Sequence, residues 1–472
     1  MLEVPKQQAT ASHWGIDPVP PQHRTFSGID LGILWGDLGI GLLVIVAGAL
    51  LVAPPEQLGF GLSLPSALVA IILGSLIGSA LLGVGGVIGT REGKPTMALL
   101  RPVLGTKGSW IPSLLNVAQL IGWTAFELWA MALVADRLGA RLFGFSSFAV
   151  WLVVFTAVVL GLALWGPLGV VRIWMERFGA WLVLAIGLAL SAYLVVSSDL
   201  GKLFSGSGAG GSRIFGAPMD IVIALPVSWI PLVADYNRFG SHARSSFWGT
   251  FGGFAFANAW FYAIGAVLIL AVPSTSPSPE GIAAGVISLA GITITAALLL
   301  TGLLVGETDE AFADVYSGAV SLRNVFPRVD NRVLIVIVTI AGALAAGFFT
   351  MLAYELFLFL LGSVFIPLLG VWFADYFVLG NRSSGELRSF RFESLIGWIS
   401  GFLLYHWIAP TPLDWWTSLV TGLVGEPLST RVPWLGASIP AFMLAFLLHW
   451  VVGSMFRSTS EGGTGAVREG AR

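Results

Sequence analysis

The chain alternates long apolar runs, such as 151–165 and 333–349, with short polar or glycine- and proline-rich connections. A helix needs about 20 apolar residues to cross a bilayer, whereas a membrane barrel shows alternating strands of about ten, so the pattern predicts spanning α-helices. Hydropathy and breaker residues place twelve, near 31–53, 65–89, 109–135, 147–165, 177–197, 218–236, 246–271, 293–319, 332–350, 354–378, 395–409 and 435–456. The first contains WGDLGIG at 35–41, whose glycines and aspartate weaken the helix in mid-span, and an unwound segment is expected there. The sixth reads LPVSWIP at 225–231, where Pro226 and Pro231 each remove a backbone donor, and it too is expected to break.

Interruptions in spans one and six, with polar spans three and eight in matching places, fit a five-plus-five inverted repeat. On that division 1–30 is a cytoplasmic N-terminal segment, 31–197 and 198–378 are the two repeats, 379–456 adds helices 11 and 12, and 457–472 is a cytoplasmic tail. A small-residue packing face would account for the first glycine cluster as well, in a chain with 59 glycines. Nineteen of the 24 Lys and Arg fall on one side of this topology, which the positive-inside rule makes the cytoplasm, and none falls inside a span. A multi-pass protein of the inner (plasma) membrane with both termini inside is therefore expected. The terminal segments 1–25 and 457–472 are polar and expected to be mobile.

Composition agrees. Hydrophobic residues make up 56% and charged residues 11%, against about 25% charged in soluble domains. A formal net charge of −2 supplies no basic patch for a nucleic acid, and the absence of cysteine excludes disulfides, thiolate chemistry and cysteine-ligated metals. No HExxH motif or His-Asp-Asp cluster suggests an enzyme. His13, His23, His242, His406 and His449 are scattered and expected to be solvated or interfacial.

The acids behave differently from the bases. Asp37, Glu127, Glu307, Asp309, Glu310 and Asp314 lie within predicted spans, with Asp235, Glu355 and Asp375 nearer their ends. A charged side chain at mid-bilayer costs about 2.5–3.5 kcal/mol, so the four in span eight would cost about 10–14 kcal/mol facing lipid. They are expected to face a wet interior, neutralised by protons or a bound cation, as in an ion-coupled carrier. At about 100° per residue Glu307, Glu310 and Asp314 share about 60° of arc while Thr308 and Asp309 point elsewhere. In span three Asn116, Gln119, Trp123 and Glu127 form one stripe, and an aromatic plate beside amide and carboxylate groups suits a flat heterocycle.

The segments KGSWIPSLLNVAQLIGWTAFE at 107–127, SWIPLVADYNRF at 228–239, DVYSGAVSLRNVFP at 314–327 and GVWFADYFVL at 370–379 resemble the nucleobase:cation symporter-1 family, over nearly the whole chain. That resemblance implies twelve helices in the leucine-transporter-like fold, with substrate held between helices one, three, six and eight. It implies that Trp123 stacks on substrate, that Gln119 and Glu127 hydrogen-bond it, and that Pro226, Val227 and Ser228 contact it at the sixth-helix break, although proline replaces the expected aromatic. Glu310 and Asp314 stand at substrate-contacting positions, and Thr308 and Asp309 with the carbonyls of Gly36 and Gly39 at a Na⁺ site. The acids at 127, 309, 310 and 314 make this pocket more acidic than those of its relatives. The expected function is symport of a nucleobase or pyrimidine vitamin precursor, with Na⁺ or H⁺ as coupling ion and no cofactor. A carrier of a cationic amine or amino acid on the same fold would also want an acidic pocket, and a non-transporting sensor is a further alternative. Oligomeric state is not legible.

Overall fold

The computed structural model describes residues 14–208, 215–290, 293–348, 350–380, 388–409 and 413–465. Its principal helices are α1 (Gly28–Asp37), α2 (Leu42–Val52), α3 (Leu64–Glu92), α4 (Trp110–Phe143), α5 (Phe148–Trp165), α6 (Ala180–Ser197), α7 (Gly216–Ser228), α8 (Ile230–Asn237), α9 (Ala243–Ala271), α10 (Pro279–Ala290), α11 (Thr293–Val325), α12 (Asn331–Ala346), α13 (Met351–Phe373), α14 (Phe392–Ile408), α15 (Asp414–Val424) and α16 (Ser438–Gly465). No strand occurs among the described residues, only an isolated bridge between Phe26 and Gly240. A helix occupies each of the twelve predicted positions. Among the described residues eight helices are long and apolar enough to span by themselves, and the bent pair α1–α2 makes up to nine. Helix α11 has the length but carries Glu307, Asp309, Glu310 and Asp314, while α12 and α14 are only 16 and 17 residues long.

The expected break in the first span is present, with a 61° bend. Gly39 N donates to Gly36 O at 3.3 Å and Ile40 N to Asp37 O at 3.1 Å, so the last turn of α1 tightens before Gly41 becomes extended. Helix α2 then starts on a residue with no side chain to cap it. The sixth span breaks less than expected: only Trp229 separates α7 from α8, and Gly216–Asn237 runs on as one span. Its prolines cost hydrogen bonds, and two carbonyls left bare around the Trp229 break find other donors. Val227 O takes the N–H of Trp229, and Ser228 O takes the Gln119 amide at 2.9 Å.

Glycines decide how closely the spans approach. Gly28, Gly32 and Gly36, one per turn, lie against Ser245, Gly249 and Gly253 of α9 in parallel register, and a Cβ at Gly249 or Gly253 would strike the carbonyls of Gly28 or Gly32. On α3, Gly74, Gly78 and Gly89 receive Val222, Pro226 and Ala234 in the same way. This is the small-residue packing by which membrane helices associate when burial of apolar surface gives them no preference over lipid. Helices α4 and α11 are joined by polar pairs instead: Asn324 donates to Ser113 at 2.9 Å and Asn116 to Ser321 at 2.8 Å.

Two expectations are corrected. Residues 14–25 are packed rather than mobile, because Trp14 rests on His23 with 5.0 Å between ring centroids, Val19 is fully buried, and Arg24 bonds the carbonyls of Val19, Thr90 and Arg91. Residues 1–13 and 466–472 lie outside the described residues. His406 and His449 are buried, not solvated; His449 Nε2 meets Asp375 Oδ1 at 3.0 Å, beside the ion pair of Asp375 with Arg391 at 2.9 Å. His13 falls outside the described residues.

The α1–α9 contact predicts a sharp contrast between neighbouring glycines. Gly253→Ala forces a Cβ onto the α1 backbone and lowers stability by about 1–3 kcal/mol, whereas Gly252→Ala meets nothing within 4 Å and leaves it unchanged. Thermal unfolding of the two variants in detergent checks this, and equal midpoints would refute the packing.

Candidate functional site

The interruption of the first span brings α11 against two helix ends. Gly41 has its carboxyl neighbours where a side chain would be, since a Cβ there would collide with Oε1 of both Glu310 and Glu307. Glu307 uses that closeness to cap α2. Its Oε1 accepts the N–H of Leu43 at 3.1 Å and its carboxylate also takes that of Leu42, so an acid from a distant span satisfies donors that the chain itself leaves bare. The positive end of the α2 dipole faces the acid as well.

Asp37, at the C-terminal end of α1, and Asp309 of α11 meet side chain to side chain. Two carboxylates have no donor to share, so this contact requires a proton or another positive charge between them. Trp174, in the π-helical stretch Val170–Gly179, fixes one side of the pair by donating its indole N–H to Asp309 Oδ1 at 2.7 Å. Farther along α11, Asp314 meets Glu127 of α4 in a second carboxyl pair. Glu310 lies between the two pairs in sequence and carries an Oε1 with no hydrogen-bond partner among the described residues. All six acids are at most 5% exposed, and no three acidic or histidine side chains among the described residues converge as metal ligands would.

Helix α4 supplies the rest. Gln119 spends its amide N–H groups on Asn116 Oδ1 at 2.6 Å and Ser228 O at 2.9 Å, which leaves its Oε1 without a partner. One turn on, Trp123 is held by edge contacts with Tyr354 and Phe357 of α13, with ring centroids 6.1 and 5.2 Å apart, and the Tyr354 hydroxyl in turn bonds Leu43 O at 3.2 Å. Glu127 follows after another turn. A bare amide oxygen, an indole and a carboxyl pair thus succeed one another along a single helix face.

Not every residue expected at the site lies free within it. Pro226 packs its ring on Gly78 of α3, in the contact that joins those helices, and Val227 is fully buried. The Ser228 hydroxyl donates to Leu225 O at 2.6 Å; its carbonyl is what reaches Gln119. Thr308 donates to Val305 O at 2.6 Å and Leu304 O at 3.1 Å, keeping only oxygen lone pairs for a cation. Gly36 O already accepts the Gly39 N–H. Sequence reasoning listed Asp37 and Glu307 among the membrane acids without a role at the site, and did not find Trp174 at all. For Asp37 the signal was an aspartate inside the glycine-rich break; for Trp174 no local signal exists.

Set beside known proteins, the chain matches the family described as permeases for cytosine/purines, uracil, thiamine and allantoin over residues 18–399. It is 24% identical to the cytosine permease of Escherichia coli O157:H7 over 369 residues, covering 74% of this chain and 80% of that relative. It is equally 24% identical to the hydantoin permease of Microbacterium maritypicum over 454 residues, covering 90% and 89%. Among solved structures, the nucleobase-cation-symport-1 transporter Mhp1, in a closed conformation with bromovinylhydantoin bound, shares the fold at a TM-score of 0.77 with 20% identity, covering 94% of this chain and 96% of that one. A Na⁺-coupled sialic acid symporter in a substrate-bound outward-open state follows at 0.64 with 13% identity, covering 95% and 92%. Helix order, a broken first span and a match across most of the chain agree: the protein belongs to the family of cytosine, purine, uracil, thiamine and allantoin permeases, membrane transporters of the leucine-transporter-like fold, not enzymes.

Proposed function

We propose that the chain imports an amino-bearing nitrogen heterocycle, a nucleobase such as cytosine or a purine or a pyrimidine vitamin precursor, by symport with protons across the plasma membrane. One observation carries the substrate class: Gln119, Trp123 and the Glu127–Asp314 pair follow each other on one face of α4, as stacking plate and hydrogen-bonding edge. A carboxyl pair holding one proton, once a ligand enters between its members, offers an O–H donor beside bare acceptors. That complements an exocyclic amino group next to an unprotonated ring nitrogen, the edge that cytosine and adenine present. The cytosine and hydantoin permeases among its relatives support the class of solute. The abundance of acid also favours cationic amines as competing substrates on the same site.

The coupling charge is assigned to Asp37 and Asp309. Their direct contact supports a proton there. The alternative is Na⁺ on the Gly36 and Gly39 carbonyls with Thr308 and Asp309, where the Gly36 carbonyl and the Thr308 hydroxyl already have partners. In proteoliposomes a pH gradient without Na⁺ is expected to drive cytosine or adenine accumulation, and Asp37→Asn to abolish it. Accumulation under a Na⁺ gradient alone would overturn the proton assignment.

Exchanging one hydrogen-bonding group tests the substrate edge. Glu127→Gln should shift preference toward carbonyl-bearing bases such as uracil by about ten-fold, the worth of about one hydrogen bond. Competition profiles identical to the parent protein's would remove Glu127 from substrate recognition, and stronger competition by polyamines than by nucleobases in the parent would favour the amine carrier.

The positive-inside count of the sequence supports a cytoplasmic location for both termini. The chain lacks cysteine, so Ser458→Cys and Glu426→Cys each give a single labelling site. An impermeant maleimide added to whole cells is expected to label position 426 and spare 458, and the reverse pattern would invert the topology.

A further inference from the structure

A cavity of about 320 Å³ opens on the flank of the bundle between α1, α6 and α9, apart from the Trp123 face. Its rim residues Trp181 and Phe256 are 59% and 65% exposed on helices that span the membrane, so the mouth faces lipid rather than either aqueous phase. Inside, Ile33, Gly36 and Asp37 of α1 line it together with Ile40 of the following break, and Asp37, buried where the rim residues are exposed, lies at its inner end. Asp37 is the one ionisable residue among those lining the cavity. It is 3% exposed, and neither carboxyl oxygen accepts an N–H or O–H from the described residues. The remaining wall is apolar and aromatic, with Trp260 turned by its own hydrogen bond to Ser191 at 2.9 Å. Gly252 stands on this wall, and a Cβ there would meet nothing within 4 Å.

An apolar slot entered from lipid and closed by a carboxyl group selects its occupant by charge. A neutral acyl chain would fill the volume and leave the acid uncompensated, and an anionic headgroup would be repelled. An inorganic cation would find, beyond Asp37 and its contact with Asp309, only apolar and aromatic walls and no third acidic or histidine ligand among the described residues. A primary ammonium carries three donors for acceptors that lack them, gains from the indole and phenyl faces, and brings an apolar body for the slot. We propose that this cavity is a lateral binding site for hydrophobic primary amines of phenylalkylamine size, which enter from the bilayer and place their ammonium on Asp37. Bound there, the amine puts a fixed positive charge where the coupling proton would reside and blocks transport. That consequence rests on the coupling assignment above, while binding itself does not.

The test measures binding alone, on the full chain in phosphatidylcholine nanodiscs with tritiated 4-phenylbutylamine as probe. Saturable binding is expected, with the uncharged isostere 4-phenylbutanol competing at least about ten-fold more weakly than unlabelled amine, a difference of about 1.4 kcal/mol. Gly252→Phe, which fills the slot, should lose the binding at an unchanged melting temperature; if that variant unfolds, Gly252→Leu replaces it. Asp37→Asn should reduce the amine to the affinity of the alcohol. Equal competition by amine and alcohol in the parent protein would overturn the proposal, as would undiminished binding to a folded Gly252 variant. Because no transport is measured, failure here leaves the symport reading standing, and failure of proton-driven uptake leaves this site standing.

Discussion

Six carboxyl groups at the depth of the hydrocarbon, with no Lys or Arg of the described residues among their hydrogen-bond partners, constrain everything else in this molecule. Burial of an isolated carboxylate costs several kcal/mol, so each acid must find compensation within reach. Three kinds are used. Glu307 takes backbone N–H groups at the start of α2, Asp309 takes an indole N–H, and the pairs Asp37–Asp309 and Glu127–Asp314 take each other. The first two are permanent features of the fold. The third kind is complete only when a proton or another positive charge is present.

The scaffold exists to bring these groups together. A continuous first helix would carry its backbone past α11 with every N–H already bonded, leaving Glu307 nothing to cap. Interrupting it at 38–41 exposes the first turn of α2, and Gly41 lets two glutamates occupy the space of a side chain. The glycine contacts between α1 and α9 then hold the first half of the broken span, and Gly48 and Gly265 bring the second half against the same helix. Such an interruption is tolerable in lipid because the freed groups are satisfied by protein, not by water.

Much of this could be read from the sequence. Apolar run length and breaker residues located the spans, and the 100° rotation per residue, with WGDLGIG, gave the stripe on α4 and the break in the first span. What escaped has specific physical causes. Two prolines in LPVSWIP predicted a break, yet the Trp229 N–H and the Gln119 amide satisfy two carbonyls left bare there, a rescue that depends on a neighbouring helix. Pro226 turned toward α3 because a glycine 148 positions earlier in the chain makes room for it. Asp37 and Glu307 were visible as acids, but their partners lie across more than 260 residues of sequence, and periodicity along one helix says nothing about what stands opposite. The packed segment 14–25 was missed for a related reason: its composition is polar, while its anchors, Trp14, Val19 and Arg24, act one at a time.

The two carboxyl pairs share helix α11, and this gives coupling a definite scale. Asp309 and Asp314 are five residues apart, a rise of about 7.5 Å at about 1.5 Å per residue. Five residues also turn the two side chains about 140° apart, so their charges stand no closer than that rise and interact by at most about 2 kcal/mol at an effective dielectric constant of about 20, within the range of about 1–3 kcal/mol typical of coupled sites. On the assignments proposed above, neutralising the Asp37–Asp309 pair would alter the occupancy of a donor-bearing ligand at Glu127–Asp314 by up to about thirty-fold, before any helix moves. Glu310, between the pairs in sequence, keeps them from being electrically separate. Substrate and cation need not touch to be linked: one short stretch of helix, dry on its outside and acidic within, suffices.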